Sequence, residues 1–328
     1  MHAVTLLTLM MACGPKASTE TPRASDTPPT TDTASTTDTS APDSGEPSVT
    51  VWRDLEYTVP ADAESALARL DIHQVAGSEP QPLVVLIHGG SWVGGDKANF
   101  AQSAPDFIPW WLARGYTVAA VNFRLASPVS QPLTVSPKDQ ASDIAHALAW
   151  LHARADEYSL STEGTVLLGY SSGAHLVALL GADGSYAEAA GLSEQSIAAT
   201  VSLDVHAYDV PYALSLMVDS EVEDNMRLIT HLFGDTADDQ LSASPIAFTE
   251  GWVAPAMLVS VGPNPDRPGT HGYIVDQTAS HYATALQAAG HAATTFHDPS
   301  ESHESLAMGF GADGDAATQQ VEMFLSER

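Results

Sequence analysis

The chain has 328 residues and carries 41 acidic against 12 basic side chains, a formal net charge of −29 at pH 7. This balance argues against nucleic-acid binding, which needs Lys and Arg on phosphates, and against docking on anionic lipid by a basic face. A hydrophobic content of 44% suffices for a full core and excludes a wholly disordered protein. The acidity favours neutral or cationic small molecules over anionic ones at long range. Cys13 is the single cysteine, so neither an intrachain disulfide nor a zinc site built on two or more cysteines can form. No apolar run reaches the roughly 18 residues of a membrane-spanning helix.

In chain order, Val4 to Met11 is short and mostly apolar, and Ala12-Cys13-Gly14 follows. A small residue before a cysteine, just after an apolar run, resembles a bacterial lipoprotein signal in residues 1–13. The resemblance implies cleavage before Cys13, lipid on its sulfur and an exported protein held at a bacterial membrane, periplasmic or at the cell surface. That anchor would be its only membrane contact. An ordinary secretory signal is the alternative. Residues 14–48 are expected to be a disordered tether: of the 32 residues from Ala17 to Ser48, 20 are Ser, Thr or Pro and six are acidic. Such a segment has too little apolar surface to offset its ordering entropy.

The folded domain is expected over residues 49–328, with a charge of −25. Val49 to Val59 and Leu67 to Val75 read as an opening pair of strands. Leu83 to Ile87 is an unbroken apolar run, the mark of a strand buried on both faces. The pattern then predicts a helix over Phe100 to Arg114, a strand over Thr117 to Val121 and a helix over Asp139 to Tyr158. A strand at Thr165 to Leu168 and a helix at Ser172 to Leu180 follow. Further strands are expected at Thr200 to Val205, Met257 to Val261 and Ala292 to His297. Helices fit Asp276 to Ala289 and Ala316 to Ser326. The alternation implies an α/β class with a mostly parallel central sheet flanked by helices. Val210 to Phe248 breaks it and reads as a small cap-like insertion over the sheet's carboxyl edge.

Gly169-Tyr170-Ser171-Ser172-Gly173 lies between a predicted strand and a predicted helix. G-x-S-x-G in that context is a sharp turn that lifts a serine hydroxyl above the sheet, which makes Ser171 the candidate nucleophile. His88-Gly89-Gly90-Ser91-Trp92 follows the buried strand, and its paired glycines let backbone N–H groups face outward. Gly90 and Ser91, with Ser172 from the other side, are the candidate donors to an oxyanion. His88 precedes the turn and reads as structural. A histidine in a late loop should be the base, with His297 and His303 as candidates. Arg124 and Asp143 read as a structural pair. His271, His281 and His291 show no metal-ligand spacing, the two-histidine helix motif of zinc peptidases is absent, and Glu221 to Asp224 reads as a solvated acidic face.

These segments resemble the α/β-hydrolase superfamily, esterase/lipase type. The feruloyl-esterase-like and kynurenine-formamidase-like branches are nearest and the hormone-sensitive-lipase branch more distant. LIHGGSWVGGDK, AAVNFRL, DIAHALAWLHARA, VLLGYSSGAHLVALLG and HESLAMGFG carry the likeness from about residue 50 to the C-terminus. Ser91 stands where the lipase branch has a third glycine. The resemblance implies an α/β-hydrolase fold and a serine carboxylic ester hydrolase acting through a Ser-His-Asp triad and an acyl-enzyme, without metal or organic cofactor. It selects His303 as base. The acid is expected after the strand MLVSV, as Asp266, with Asp276 the alternative. Trp92 and Tyr170 are expected to shape the substrate pocket, and neutral esters of small or medium size are the expected substrates. An arylformamidase, a peptidase or a non-catalytic binding protein on the same scaffold are the competing readings.

Overall fold

The structure is a computed structural model that describes residues 37–39, 48–59, 66–77 and 79–328. The expected signal at 1–13, with Cys13, lies outside the described residues, as does nearly all of the expected linker at 14–48. Among the described residues nine strands form one sheet: β1 (Thr37–Thr39), β2 (Val49–Glu56), β3 (Arg69–Val75), β4 (Gln81–Ile87), β5 (Thr117–Val121), β6 (Leu160–Tyr170), β7 (Ala199–Leu203), β8 (Ala256–Val261) and β9 (Ala293–Asp298). Their spatial order is β1-β2-β3-β5-β4-β6-β7-β8-β9. The first three strands pair antiparallel, β3 pairs antiparallel with β5, and every later pairing is parallel. The helices are α1 (Asn99–Gln102), α2 (Phe107–Ala113), α3 (Pro137–Ala153), α4 (Ser172–Ala182), α5 (Ser185–Ala189), α6 (Val210–Met217), α7 (Met226–Phe233), α8 (Ala237–Leu241), α9 (His271–Ala288), α10 (His303–Gly309) and α11 (Ala316–Ser326).

Strand β4 explains why its sequence is apolar without alternation. Leu83, Val85 and Ile87 pack with Ile144, Leu148 and Leu176 on one face of the sheet. Val84 and Leu86 pack with Phe107, Trp111 and Phe324 on the other. Both faces are dry, so every position is hydrophobic. Helix α3 begins at Pro137 because Ser136 and Asp139 form a reciprocal capping box, each side chain accepting the other's backbone N–H. The single helix expected over Phe100 to Arg114 is two, α1 and α2, separated by the turn at Ser103 to Asp106. Pro105 disfavours helical backbone at the residue before it and has no N–H to continue the ladder. Helix α9 starts five residues earlier than Asp276, because the Thr270 side chain caps it by accepting from Tyr273 N–H.

Among the described residues, one buried ionic group ties the loop after β5 to helix α3, and another ties the loop after β4 to the sheet. Asp143, fully buried, takes Arg124 in a forked pair at 2.7 to 3.1 Å. Lys97 Nζ sits 2.8 Å from Asp71 and 2.9 Å from Asp54. The same lysine donates its backbone N–H to Asn122 Oδ1 at 2.6 Å, so the far end of the segment from His88 to Lys97 is held by backbone and side chain together. Between β7 and β8, residues 210–248 form α6, α7 and α8 and a terminal 3-10 turn, Pro245–Phe248.

Candidate active site

Strand β6 ends at Tyr170 and α4 begins at Ser172, which leaves Ser171 alone in the turn at φ 55° and ψ −123°. A non-glycine residue there costs on the order of 1–3 kcal/mol and persists only where its surroundings enforce it. Here Ser171 N–H donates to Leu203 O at 2.8 Å and Ser171 O accepts from Ala174 N–H at 2.9 Å. Glycine is required where the turn crosses its neighbour. A Cβ on Gly173 would lie 2.2 Å from Ile87 O, and one on Gly89 would lie 2.9 Å from Ser171 Cβ.

His303 is the first residue of α10, held by a capping box between Ser302 and Ser305. Its Nε2 lies 3.1 Å from Ser171 Oγ and its Nδ1 lies 2.6 Å from Asp204 Oδ2. Since a carboxylate only accepts, Nδ1 carries the proton and Nε2 is free to accept from the serine. Tyr170 OH donates to His303 O at 2.8 Å, and the two rings lie 4.8 Å apart. His297 is occupied elsewhere: Nε2 donates to Gly262 O at 2.9 Å, and Nδ1 faces Ser260 Oγ at 2.9 Å.

The carboxylate facing His303 is Asp204, and neither Asp266 nor Asp276 takes that place. Asp266 is exposed in the loop after β8. Asp276 faces His297, with Oδ1 3.7 Å from Nδ1. The reason is sheet order. Strand β7 lies directly beside β6, with Leu203 opposite Tyr170, so the next residue on each strand, Asp204 and Ser171, leaves the sheet side by side. Asp204 N–H donates to Val259 O at 2.8 Å and its Oδ1 accepts Val261 N–H at 3.0 Å, so β8 aims the carboxylate. The sequence did carry a signal: an aspartate immediately after the predicted strand residues TVSL, on the strand that follows the one leading into Ser171.

A second imidazole, unforeseen from spacing, meets the same carboxylate. His271 Nε2 donates to Asp204 Oδ2 at 2.9 Å. Burial alone would raise the Asp204 pKa, but hydrogen bonds from His271 and His303 outweigh it and hold the carboxyl well below the ordinary range. Asp204, His271 and His303 are also the one cluster of metal-ligating groups among the described residues. Both nitrogens involved already donate to the carboxylate, so a cation there would have to displace the two N–H bonds.

These residues open on a cavity of about 480 Å³. Ser91, Trp92, Ser171 and Ser172 line one wall, Asp204, His271 and His303 another. The segment between β7 and β8 closes it with Val222, Asn225, Leu228 and Ile229. Ser91 sits at φ 55°, directly after Gly90 at φ 130°, whose carbonyl accepts from Val93 and Gly94 N–H. Ser172 opens α4, so its N–H belongs to the helix's first turn, without an intrahelical acceptor. Trp92 is buried against His175 and Phe233 and lines the cavity. Tyr170, expected in the pocket, packs instead with the core on the opposite face of the sheet and supports His303. His88 stacks on Phe123 at 4.5 Å, a structural role.

The chain matches the BD-FAE family over residues 70–263, more than half of its length. It is 27% identical over 104 residues to Esterase LipC of Mycobacterium tuberculosis, a match covering 32% of this chain and 24% of that protein. The chain thus spans about a quarter of that curated relative. Among solved structures it resembles Esterase B of Lactobacillus rhamnosis, with TM-score 0.62 and 18% identity over 85% of this chain and 84% of that one. It also resembles a truncated carbohydrate esterase from gut microbiota, with TM-score 0.63 and 16% identity over 84% and 95%. An esterase of Pyrobaculum calidifontis gives TM-score 0.60 and 19% identity over 79% and 81%. With the strand order, the turn at Ser171 and the family match together, the chain belongs to the BD-FAE family of α/β-hydrolases, esterase/lipase type.

Proposed function

We propose that the chain is a serine carboxylic ester hydrolase that works through Ser171, His303 and Asp204 on neutral esters of small or medium size. The observation that carries this reading is the hydrogen-bond path from Asp204 Oδ2 through both ring nitrogens of His303 to Ser171 Oγ at the cavity wall. His303 Nε2 takes the hydroxyl proton as Ser171 Oγ attacks the ester carbonyl. The developing oxyanion is received by the N–H groups of Ser91 and Ser172, with Gly90 beside them. Each preorganised donor of this kind contributes about 3–4 kcal/mol. Collapse of the tetrahedral intermediate breaks the C–O bond, and His303 returns its proton to the leaving alcohol. Water, deprotonated by the same nitrogen, then cleaves the acyl-enzyme. Asp204 holds the imidazole in the required tautomer and stabilises the imidazolium.

The cavity volume suits a small or medium acyl group, and the chain's acidity disfavours anionic ones. The esterase names of its relatives favour an ester over a formamide or a peptide. The test is turnover of p-nitrophenyl acetate, butyrate and octanoate by the full chain and by Ser171→Ala. Hydrolysis is expected in the first and only background rates in the second. Equal rates in both would defeat the proposal, and turnover of N-formyl or peptide substrates alone would move it to a sister chemistry.

A further inference from the structure

The triad carboxylate is shared by two imidazoles. Asp204 Oδ2 accepts from His303 Nδ1 at 2.6 Å and from His271 Nε2 at 2.9 Å. The two rings meet edge to face, with centroids 5.8 Å apart. Asp204 is fully buried, whereas the His271 side chain is 30% exposed at the cavity wall. The position of His271 is locked from the insertion. Its backbone N–H donates to Glu221 Oε1 at 2.5 Å, and Glu221 N–H donates to Gly269 O at 3.0 Å. Nothing in the reaction above uses this residue.

Resting on the hydrolase reading, we propose that His271 is a positioning residue of the triad that fixes Asp204 Oδ2 and shares that oxygen's charge with His303, so that a proton added to one imidazole opposes a proton added to the other. The argument is one of charge. Nε2 of His271 already carries a hydrogen toward Asp204, so an arriving proton adds at Nδ1 and creates an imidazolium paired with the single carboxylate. A second proton, on His303, would then meet a cation across one shared oxygen, and the two sites titrate as a coupled pair. The titratable groups facing His271 include Asp204 and His206 at the end of β7, His303 and Glu304 on α10, and Glu221 from the insertion. Burial disfavours the charged ring. The hydrogen bond to Asp204 and its charge, aided by Glu221 and Glu304, outweigh burial and raise the His271 pKa.

The experiment compares the full chain with His271→Gln in two ways. The first is the pH profile of kcat/KM on p-nitrophenyl butyrate. The second is the NMR titration of the His303 ring protons, assigned with His303→Asn. With the competing cation gone, the acid limb and the His303 midpoint should both move upward by about one pH unit. A residue that merely braced the fold would lower kcat or Tm and leave both midpoints in place, which would overturn the proposal, as would a downward move. If the wild type hydrolyses no ester, the hydrolase reading fails by itself, and the NMR midpoint still decides the role of His271. Glu221→Gln, which loosens the latch without touching the triad, should shift the midpoint in the same direction by less, and it serves if His271→Gln does not fold.

Discussion

At the scale of single residues, Asp204 is the position on which the proposed chemistry turns. It accepts from Val261 N–H and from two ring N–H groups, so replacing it leaves the geometry largely held by the backbone while changing what His303 faces. Asn at this position presents an N–H to His303 Nδ1 in one orientation and favours the wrong tautomer. Asp204→Asn should therefore lower kcat by about 10⁴-fold, the scale of the corresponding change in a serine-protease triad. Asp266→Asn, in an exposed loop, should stay within about twofold of wild type. Comparing kcat of the two variants on one ester decides between the positions, and a loss at Asp266 instead would remove Asp204 from the mechanism.

Among elements, the junction of β6 and α4 governs reactivity by how closely it meets the loop after β4. A methyl group on Gly89 would press on Ser171 Cβ at 2.9 Å and Tyr170 O at 3.0 Å, neither of which can swing aside. Gly89→Ala should thus displace Ser171 and lower kcat/KM by about a hundredfold, with a smaller change in Tm. Full activity in that variant would mean that the loop is not held against the turn. This junction was legible in the sequence because strand, turn and helix are contiguous there, and GYSSG states its own geometry. The carboxylate facing His303 was not, because its identity depends on which strand lies beside β6, and pairing is a property of the sheet. Asp266 and Asp276 satisfied the chain order Ser, Asp, His equally well. Similarly, α10 was hidden because the polar DPSESH run masks a helix start, although Ser302 and Ser305 form its capping box. The break between α1 and α2 has a visible cause in Pro105.

For the whole molecule, two effects of pH and salt act on stability with opposite signs. A formal charge of −29 repels itself, and added salt screens that repulsion, so Tm at pH 7 should rise between about 10 mM and 1 M NaCl as the Debye length falls from about 30 to 3 Å. Acidification reduces the same charge but meets the buried imidazoles. Burial lowers the pKa values of His73, His175 and His206 to about 4. In the unfolded chain such groups titrate near pH 6.5. Between pH 6.5 and 4 the unfolded state therefore binds more protons at these three sites, and stability falls as pH is lowered through that window. His271, with its pKa raised, contributes in the other direction but is outnumbered, since burial also lowers the pKa values of His88 and His152. At about 10 mM NaCl the relief of repulsion offsets part of the loss. At about 1 M NaCl, with repulsion screened, Tm should drop steadily from pH 7 to pH 5. Thermal melts across a grid of pH and NaCl separate the two contributions. A Tm that rises on acidification at high salt would show that the buried histidines do not control the acid limb of stability.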